Sequence, residues 1–324
     1  MKMNITCISL FILLSCTDSK PRDSEMQTVG FFSIKEIIAA GEGEIAPLQS
    51  IEATDKIALA FRAYLPNQAK AVLIFYHGAG VHSGINYNHI GVGLRDEFNI
   101  AVFMPDIRGH GSSGGERGDT PDTEQVWSDI SSIIQHVRLK YPALPLYLGG
   151  HSGGAGLSLN YSSWDNNLPV DGYVFTSPYF GYRAQTKYDE GTKNTFEIAT
   201  VNTNDFIQNA MSGGKLKGHS KAIQFSFPES SLKKYPKIVP FMTVNMSNAV
   251  TPDSPKGQFS ELKRFGLWIG QHDEAFDPVK VVNFAKNNRN KDAENTIQIV
   301  AGEYHLSLII KAHQLIGPWI LSQI

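Results

Sequence analysis

The chain has 324 residues, of which 42% are hydrophobic and 19% are charged. This composition is typical of a globular protein and excludes disorder as the main state of the chain. The formal net charge is −2 and no basic cluster interrupts the sequence, so we expect no nucleic-acid partner.

The first residues are typical of a secretory signal. Residues 5–14 are mostly apolar, but this run is too short for a membrane-spanning helix of about 20 residues. It ends in Leu13-Leu14-Ser15-Cys16, which resembles the lipobox of bacterial lipoproteins, with Cys16 as the residue to be lipidated. We therefore predict a signal peptide over residues 1–15 and a flexible polar tether over residues 16–29.

The only two cysteines, Cys7 and Cys16, both lie in this segment. Processing would leave the mature chain without a pair that could form a disulfide, so its stability would depend on its core alone. Lipidation of Cys16 predicts a membrane partner and a place in the bacterial cell envelope, at the outer membrane or the periplasmic face. The alternatives are an ordinary cleaved signal, or a buried N-terminal segment of a cytosolic protein.

Strand and helix patterns alternate through the first half of residues 30–324. Strands are predicted at 47–53, 57–64, 71–76, 100–105, from Leu144 to the turn at Gly150, and at 172–176, with helices at 87–97, at 123–141 and after that turn. Such regular alternation implies parallel pairing with right-handed crossovers. The predicted fold class is α/β, with a mostly parallel central sheet flanked by helices.

The alternation breaks between about residues 180 and 262, after the sixth strand. It resumes with strands at 265–270 and 296–300 and helices at 279–286 and 306–316, the last ended by Gly317-Pro318. We interpret the break as an insertion that caps the site. Its scattered large apolar residues would either line the site or fill the insertion's own core: Phe196, Phe206, Met211, Phe225, Phe227, Phe241 and Met242.

The stretch Gly150-His151-Ser152-Gly153-Gly154 joins a predicted buried strand to a predicted helix. This is the G-x-S-x-G pattern of a nucleophile elbow, in the strand–turn–helix context that the motif requires. The turn is tight, so the serine takes strained backbone angles and its neighbours must be small. The pattern predicts Ser152 as a nucleophile. The alternative is a glycine-rich turn without chemistry.

A serine nucleophile needs a base, and the base needs a carboxylate that orients it. In this architecture the acid and then the histidine follow the serine along the chain, each just after a strand. Asp273 follows the first strand after the insertion, and His305 follows the last strand. They are predicted as acid and base. Weaker rivals are Asp277, Glu274, His313 and His272.

The developing oxyanion needs two backbone donors. The N–H of Gly153 follows the nucleophile, and the loop after the third strand offers the N–H of Ala79. His77 in that loop could be taken for a metal ligand. Because no metal-ligand spacing accompanies it, a structural hydrogen-bonding role is favoured, and we expect no metal.

Three stretches, 77–84, 106–118 and 150–154, together resemble the monoglyceride lipase and lysophospholipase branch of the α/β-hydrolases. The resemblance covers about residues 71–175 and 266–305 and implies the α/β-hydrolase fold. It also implies that Ser152, Asp273 and His305 are the triad, and that Ala79 and Gly153 form the oxyanion hole. Two features of this sequence depart from the branch. Position 153 is glycine, where the branch usually has methionine, and the insertion is not recognisably the family's lid.

The sequence thus predicts a lipid-anchored serine hydrolase that needs no cofactor and cleaves carboxylic esters through an acyl-enzyme. Monoacylglycerols or lysophospholipid-like esters are the expected substrates. One alternative is an aminopeptidase of the same fold, in which the acidic pair Asp189-Glu190 would bind a substrate amine. A less favoured one is a non-catalytic ligand-binding lipoprotein.

Overall fold

The computed structural model describes residues 40–189 and 198–324. The predicted signal peptide, Cys16 and the tether lie outside these residues. Within the described part, none of the helices combines the length and the apolar character that crossing a bilayer would require.

Two sheets are present among the described residues. In chain order the strands are β1 (Leu48–Glu52), β2 (Ala58–Tyr64), β3 (Ala71–Tyr76), β4 (Ile100–Pro105), β5 (Leu146–His151), β6 (Gly172–Thr176), β7 (Ala199–Val201), β8 (Lys221–Phe225), β9 (Phe241–Thr243), β10 (Arg264–Gly270) and β11 (Glu294–Val300). The larger sheet has eight strands in the order β1-β2-β4-β3-β5-β6-β10-β11. Only β1 with β2 and β2 with β4 pair antiparallel, so the predicted mostly parallel sheet is confirmed.

Helices cover both faces of this sheet, and further helices lie in the segment between β6 and β10. In chain order they are α1 (Asn88–Phe98), α2 (Thr123–Lys140), α3 (Gly153–Ser162), α4 (Thr203–Met211), α5 (Glu229–Lys234), α6 (Val244–Val250), α7 (Pro255–Glu261), α8 (Pro278–Asn288) and α9 (Ser307–Leu321). Successive residues of a strand point to opposite faces, so Val72 and Ile74 pack with α2, whereas Leu73 and Phe75 pack with α1 and α9. The central strands are therefore apolar throughout, which is why their positions could be predicted.

The last helix corrects the prediction that Gly317-Pro318 would end it. Helix α9 continues to Leu321 with Pro318 inside it. Proline lacks the amide for one helical hydrogen bond, but the two residues after it are buried, and Trp319 packs edge-on against Tyr147 and Trp268. Burial of a large apolar side chain contributes about 1.5–3 kcal/mol, so two such side chains outweigh a proline cost of about 3 kcal/mol.

The segment between β6 and β10 contains regular structure that the sequence did not reveal. Strands β7, β8 and β9 form a separate antiparallel sheet, and four short helices accompany it. Each of these strands has three to five residues, which is too short for an alternating pattern to stand out. The end of the segment packs on the main domain: the carbonyl of Ala249 accepts a hydrogen bond from the Trp127 indole at 3.0 Å, and Phe259 is fully buried.

A buried ion-pair network fastens the loop after β4 to α2. The guanidinium of Arg108 donates to both oxygens of Asp129 at 2.7 and 2.8 Å and to both oxygens of Asp55 at 2.8 and 2.9 Å. The Arg108 side chain is only 1% exposed and that of Asp129 only 7%. Such a pair is costly to break, because the remaining charge stays buried without its partner.

We expect Asp129→Ala to lower the free energy of unfolding by about 3 kcal/mol, because it leaves the buried Arg108 with Asp55 alone. Urea denaturation monitored by circular dichroism measures this change. The matched control is Asp96→Ala, which removes an exposed carboxylate paired with Arg95 and should cost less than about 1 kcal/mol. Equal losses in the two variants would contradict a structural role for the buried network.

Candidate active site

Ser152 occupies the turn between β5 and α3 with strained backbone angles. Its φ is 54° and its ψ is −117°, a conformation that L-residues rarely adopt. The Ser152 amide donates to the carbonyl of Thr176 at 3.0 Å, and its carbonyl accepts from Tyr179 at 3.1 Å. Strain of this kind costs about 1–3 kcal/mol and persists only where the surroundings impose it. The predicted nucleophile-elbow geometry is therefore present.

The glycines around Ser152 allow three backbones to touch. A Cβ on Gly150 would lie 2.5 Å from the carbonyl carbon of Gly154, and a Cβ on Gly154 would lie 2.4 Å from the carbonyl oxygen of Tyr76. Neither contact is sterically possible, so β3, β5 and the start of α3 could not pack this closely with any other residue at these two positions. The turn consequently holds Ser152 at the carboxyl end of β5.

The two side chains predicted as base and acid are hydrogen-bonded to each other. His305 Nδ1 lies 2.8 Å from Asp273 Oδ2 and 3.0 Å from Oδ1. Asp273 is fully buried, and its Oδ1 also accepts the amides of Ala275 and Phe276 at 2.9 Å each. A carboxylate that holds the Nδ1 proton leaves Nε2 as the nitrogen that can accept one.

Two further contacts fix the backbone of His305. Its amide donates to Glu274 Oε2 at 2.9 Å, and its carbonyl lies 3.0 Å from His151 Nε2. Burial raises the pKa of Glu274 and lowers the pKa of His151 well below its usual range. His305 is therefore held through its ring, its amide and its carbonyl.

The residues predicted to supply the oxyanion donors lie side by side. A Cβ built on Gly153 would be 3.1 Å from the amide nitrogen of Ala79, so the two backbones are in contact. Across residues 40–189 and 198–324, neither amide has a hydrogen-bond acceptor. Gly153 is also the first residue of α3, where helix amides have no partner within the helix.

The structure separates three of the four rival residues from the site, the exception being Glu274, which holds the amide of His305. Asp277 is the N-cap of α8, where its Oδ1 accepts the amides of Val279 and Lys280. His313 contacts Glu97 at 3.2 Å, and His272 is exposed beside Tyr304.

His77 has a structural role, as predicted. Its Nδ1 donates to the carbonyl of Gly78 at 2.7 Å, and its Nε2 accepts the amide of Ile107 at 3.0 Å. Both ring nitrogens are thus occupied by backbone groups, which leaves none for a metal ion. No cluster of metal-ligating side chains occurs in the described part of the chain.

A cavity of about 530 Å³ opens over Ser152 and His305. The segment between β6 and β10 supplies many of its apolar lining residues: Ile198, Val201, Ile223, Phe225, Phe227, Ile238, Met242 and Val250. Of the scattered apolar residues in the insertion, Phe225, Phe227 and Met242 line the site. Phe206, Phe241 and Met211 do not, and Phe196 lies outside the described residues.

Sequence reasoning missed how Glu274, Tyr87 and His151 act. Glu274 was weighed only as a rival acid, although it holds the amide of His305. His151 lies inside the elbow motif, so its place next to Ser152 was a usable signal. Tyr87 contacts His151 across 64 positions of the chain, and no local pattern indicates such a contact.

With this geometry established, comparison with known proteins decides the family. The family model described as serine aminopeptidase, S33 matches residues 67–237, just over half of the chain. The chain belongs to this family.

The relatives of this chain include monoglyceride lipases. The monoglyceride lipase of Rattus norvegicus is 36% identical over 109 residues, which is 34% of this chain and 35% of that protein. A monoglyceride lipase homolog of Monkeypox virus is 33% identical over 109 residues, 34% of this chain and 38% of that protein. The chain thus matches little more than a third of the length of these two curated relatives.

A solved structure extends the likeness to the whole fold. A soluble variant of monoglyceride lipase from Saccharomyces cerevisiae, in complex with a substrate analog, has a TM-score of 0.65 and 16% sequence identity. The alignment covers 86% of this chain and 95% of that one. Identity this low shows only the fold, which is the predicted α/β-hydrolase fold.

Buried and half-buried histidines near the site make stability depend on pH. Burial lowers the pKa of His82 to about 4, that of His110 to about 3, and those of His77 and His151 as well. Each group has a folded pKa below its unfolded value, so its contribution is fully present above about pH 6.5 and is lost as the pH falls toward the folded pKa.

We expect the free energy of unfolding to fall by at least about 2 kcal/mol between pH 7 and pH 5, since each such histidine contributes up to about 1.4 kcal/mol per pH unit. Urea denaturation at pH 7, 6 and 5 measures the slope. The variant His110→Asn keeps an amide donor near Nδ1 and should show a smaller slope. Stability that does not change over this range would contradict the assignment of neutral, buried histidines.

Proposed function

We propose that the protein is a serine hydrolase that cleaves carboxylic esters through an acyl-enzyme intermediate. The observation that carries the proposal is the set of Ser152 on its strained turn, His305 lining the same cavity, and Asp273 hydrogen-bonded to His305 at 2.8 Å. Relatives that are named monoglyceride lipase favour ester hydrolysis over the other reactions that this fold performs.

In the proposed reaction, Ser152 Oγ attacks the ester carbonyl carbon while His305 Nε2 takes its proton. The carbonyl π electrons move to the oxygen, which becomes an oxyanion. Collapse of this intermediate breaks the bond to the alcohol, which leaves with the proton from His305. Water then attacks the acyl-serine by the same steps and releases the acid. Asp273 orients the ring and stabilises the imidazolium.

The amides of Ala79 and Gly153 are proposed as the oxyanion donors. Their adjacency and their lack of an acceptor among the described residues support this role, since donors already in place need no reorganisation as charge develops. Loss of one such donor typically costs about 10²–10³ in rate.

The cavity favours substrates with an acyl chain. Its volume of about 530 Å³ and its largely apolar lining suit a hydrocarbon tail better than a charged one. We therefore propose monoacylglycerols or lysophospholipid-like esters as substrates, with the segment of residues 180–262 acting as a cap. The aminopeptidase alternative has less support, because Asp189 is engaged by Lys280 Nζ at 2.6 Å and Glu190 lies outside the described residues.

We expect the purified protein to hydrolyse p-nitrophenyl acyl esters and monoacylglycerols, with kcat/KM rising from acetyl to medium-length chains because longer chains fill the apolar cavity. Ser152→Ala should lower kcat by at least about 10³-fold and abolish labelling by a fluorophosphonate probe. Asp273→Asn should also lower kcat strongly, since the ring loses its orientation.

The matched control for these variants is Asp277→Asn, which changes a helix cap outside the cavity and should leave kcat unchanged within about twofold. Amino-acid p-nitroanilides are assayed in parallel. Hydrolysis of the amides without the esters would favour the aminopeptidase alternative. A folded protein whose Ser152 the probe does not label would favour the non-catalytic ligand-binding lipoprotein.

We also propose that the chain is a lipoprotein of the bacterial cell envelope, anchored by lipidated Cys16 after removal of residues 1–15. The support is the sequence pattern alone. In a bacterial host, the full chain should incorporate an alkyne-labelled fatty acid and partition into the membrane fraction, whereas Cys16→Ser should do neither. Equal partition of both chains would contradict the anchor.

A further inference from the structure

Two buried side chains outside the triad, Tyr87 and His151, connect the loops of the site. The amide of Gly78 donates to Tyr87 Oη at 2.8 Å, and Tyr87 Oη lies 3.0 Å from His151 Nδ1. His151 Nε2 lies 3.0 Å from the carbonyl oxygen of His305. Tyr87 is 2% exposed and His151 is 1% exposed, so water does not compete for these bonds.

Only one arrangement of protons satisfies all three contacts. A carbonyl oxygen can only accept a hydrogen bond, so His151 Nε2 must carry the proton and donate to the carbonyl of His305. In the neutral ring Nδ1 is then an acceptor, and the Tyr87 hydroxyl must donate to it. Since burial lowers the pKa of His151, the ring stays neutral. The hydroxyl therefore accepts from Gly78 and donates to His151.

Each end of this series of hydrogen bonds is next to a residue of the proposed mechanism. Gly78 precedes Ala79, His151 precedes Ser152, and the carbonyl at the far end belongs to His305 itself. We propose that Tyr87 and His151 are positioning residues that hold the oxyanion donor and the catalytic base in register with the nucleophile. This inference rests on the ester hydrolysis proposed above and adds two residues that act by positioning others.

The test is Tyr87→Phe, which removes one hydroxyl and keeps the ring. We expect kcat for a p-nitrophenyl ester to fall at least about tenfold, with KM unchanged within about twofold. The reason is that the oxyanion donors and the base would be displaced slightly, and small displacements of catalytic groups lower rates strongly. The rate constant for phosphonylation of Ser152 by a fluorophosphonate should fall in parallel, while labelling still goes to completion.

The matched control is Tyr161→Phe. Its hydroxyl is likewise buried, accepts one backbone amide, that of Leu168 at 2.7 Å, and bonds one side chain, Ser131 at 2.8 Å. Loss of this hydroxyl should lower stability by a comparable amount but leave kcat and the phosphonylation rate within about twofold. A purely structural role for Tyr87 predicts the same result for both variants, and that result would overturn the proposal.

A second pair of variants tests the same contacts at His151, with Tyr87 unchanged. His151→Gln keeps an amide nitrogen near Nε2 for His305 but no acceptor for Tyr87, whereas His151→Asn keeps an acceptor near Nδ1 and loses the contact with His305. Both should lower kcat and the phosphonylation rate at least about tenfold with KM unchanged within about twofold, and folded His151 variants that keep the wild-type rates would overturn the proposal. Where Tyr87→Phe folds, adding it to His151→Gln should lower kcat by a smaller factor than adding it to the wild type. Fully additive effects on kcat would overturn the proposed coupling of Tyr87 to His151.

The two proposals fail in different ways. If wild-type protein hydrolyses esters and reacts with the fluorophosphonate while Tyr87→Phe behaves like Tyr161→Phe, the positioning role is wrong and the proposed function stands. If folded wild-type protein neither hydrolyses esters nor reacts with the probe, the proposed function is wrong, and the positioning role fails with it.

Discussion

The close approach of β3, β5 and α3 is the constraint on which the candidate site depends. These backbones touch because Gly150 and Gly154 carry no side chain, and a single added carbon would lie within 2.6 Å of a neighbouring backbone at either position. The turn between them has no freedom left, which forces Ser152 into its positive φ. Packing of the buried central strands on both faces of the sheet offsets this local strain.

The parallel sheet places Ser152, Asp273 and His305 at one edge. Strands β5, β6, β10 and β11 are neighbours in that order and run in the same direction, so the loops at their carboxyl ends share one edge. Asp273 and His305 lie in two of these loops. Because His305 is held through its ring, its amide and its carbonyl, the position of the proposed base depends on several short contacts rather than on one flexible side chain.

The sequence predicted those parts of the fold that rest on local pattern. Strands buried on both faces are continuous apolar runs, so β3, β4 and β5 were recognisable, and a glycine-rich turn between strand and helix marked Ser152. Loop order then indicated Asp273 and His305. What the sequence did not reveal depends on tertiary contacts, such as the buried Trp319 that carries α9 past Pro318, or the Tyr87 hydroxyl that reaches His151.

The same reasoning explains why the substrate is the least predictable property. Strands β7, β8 and β9 are antiparallel and have only three to five residues each, so the side chains they direct into the cavity, among them Val201, Ile223 and Phe225, form no pattern long enough to stand out in the sequence. The chemistry requires fixed backbone positions around Ser152, which few residue types can satisfy. The cavity requires only apolar volume, which many sequences provide. The residues of the insertion can therefore change with the substrate while the turn around Ser152 is kept. For that reason the elbow motif carries information about the reaction but little about the acyl chain.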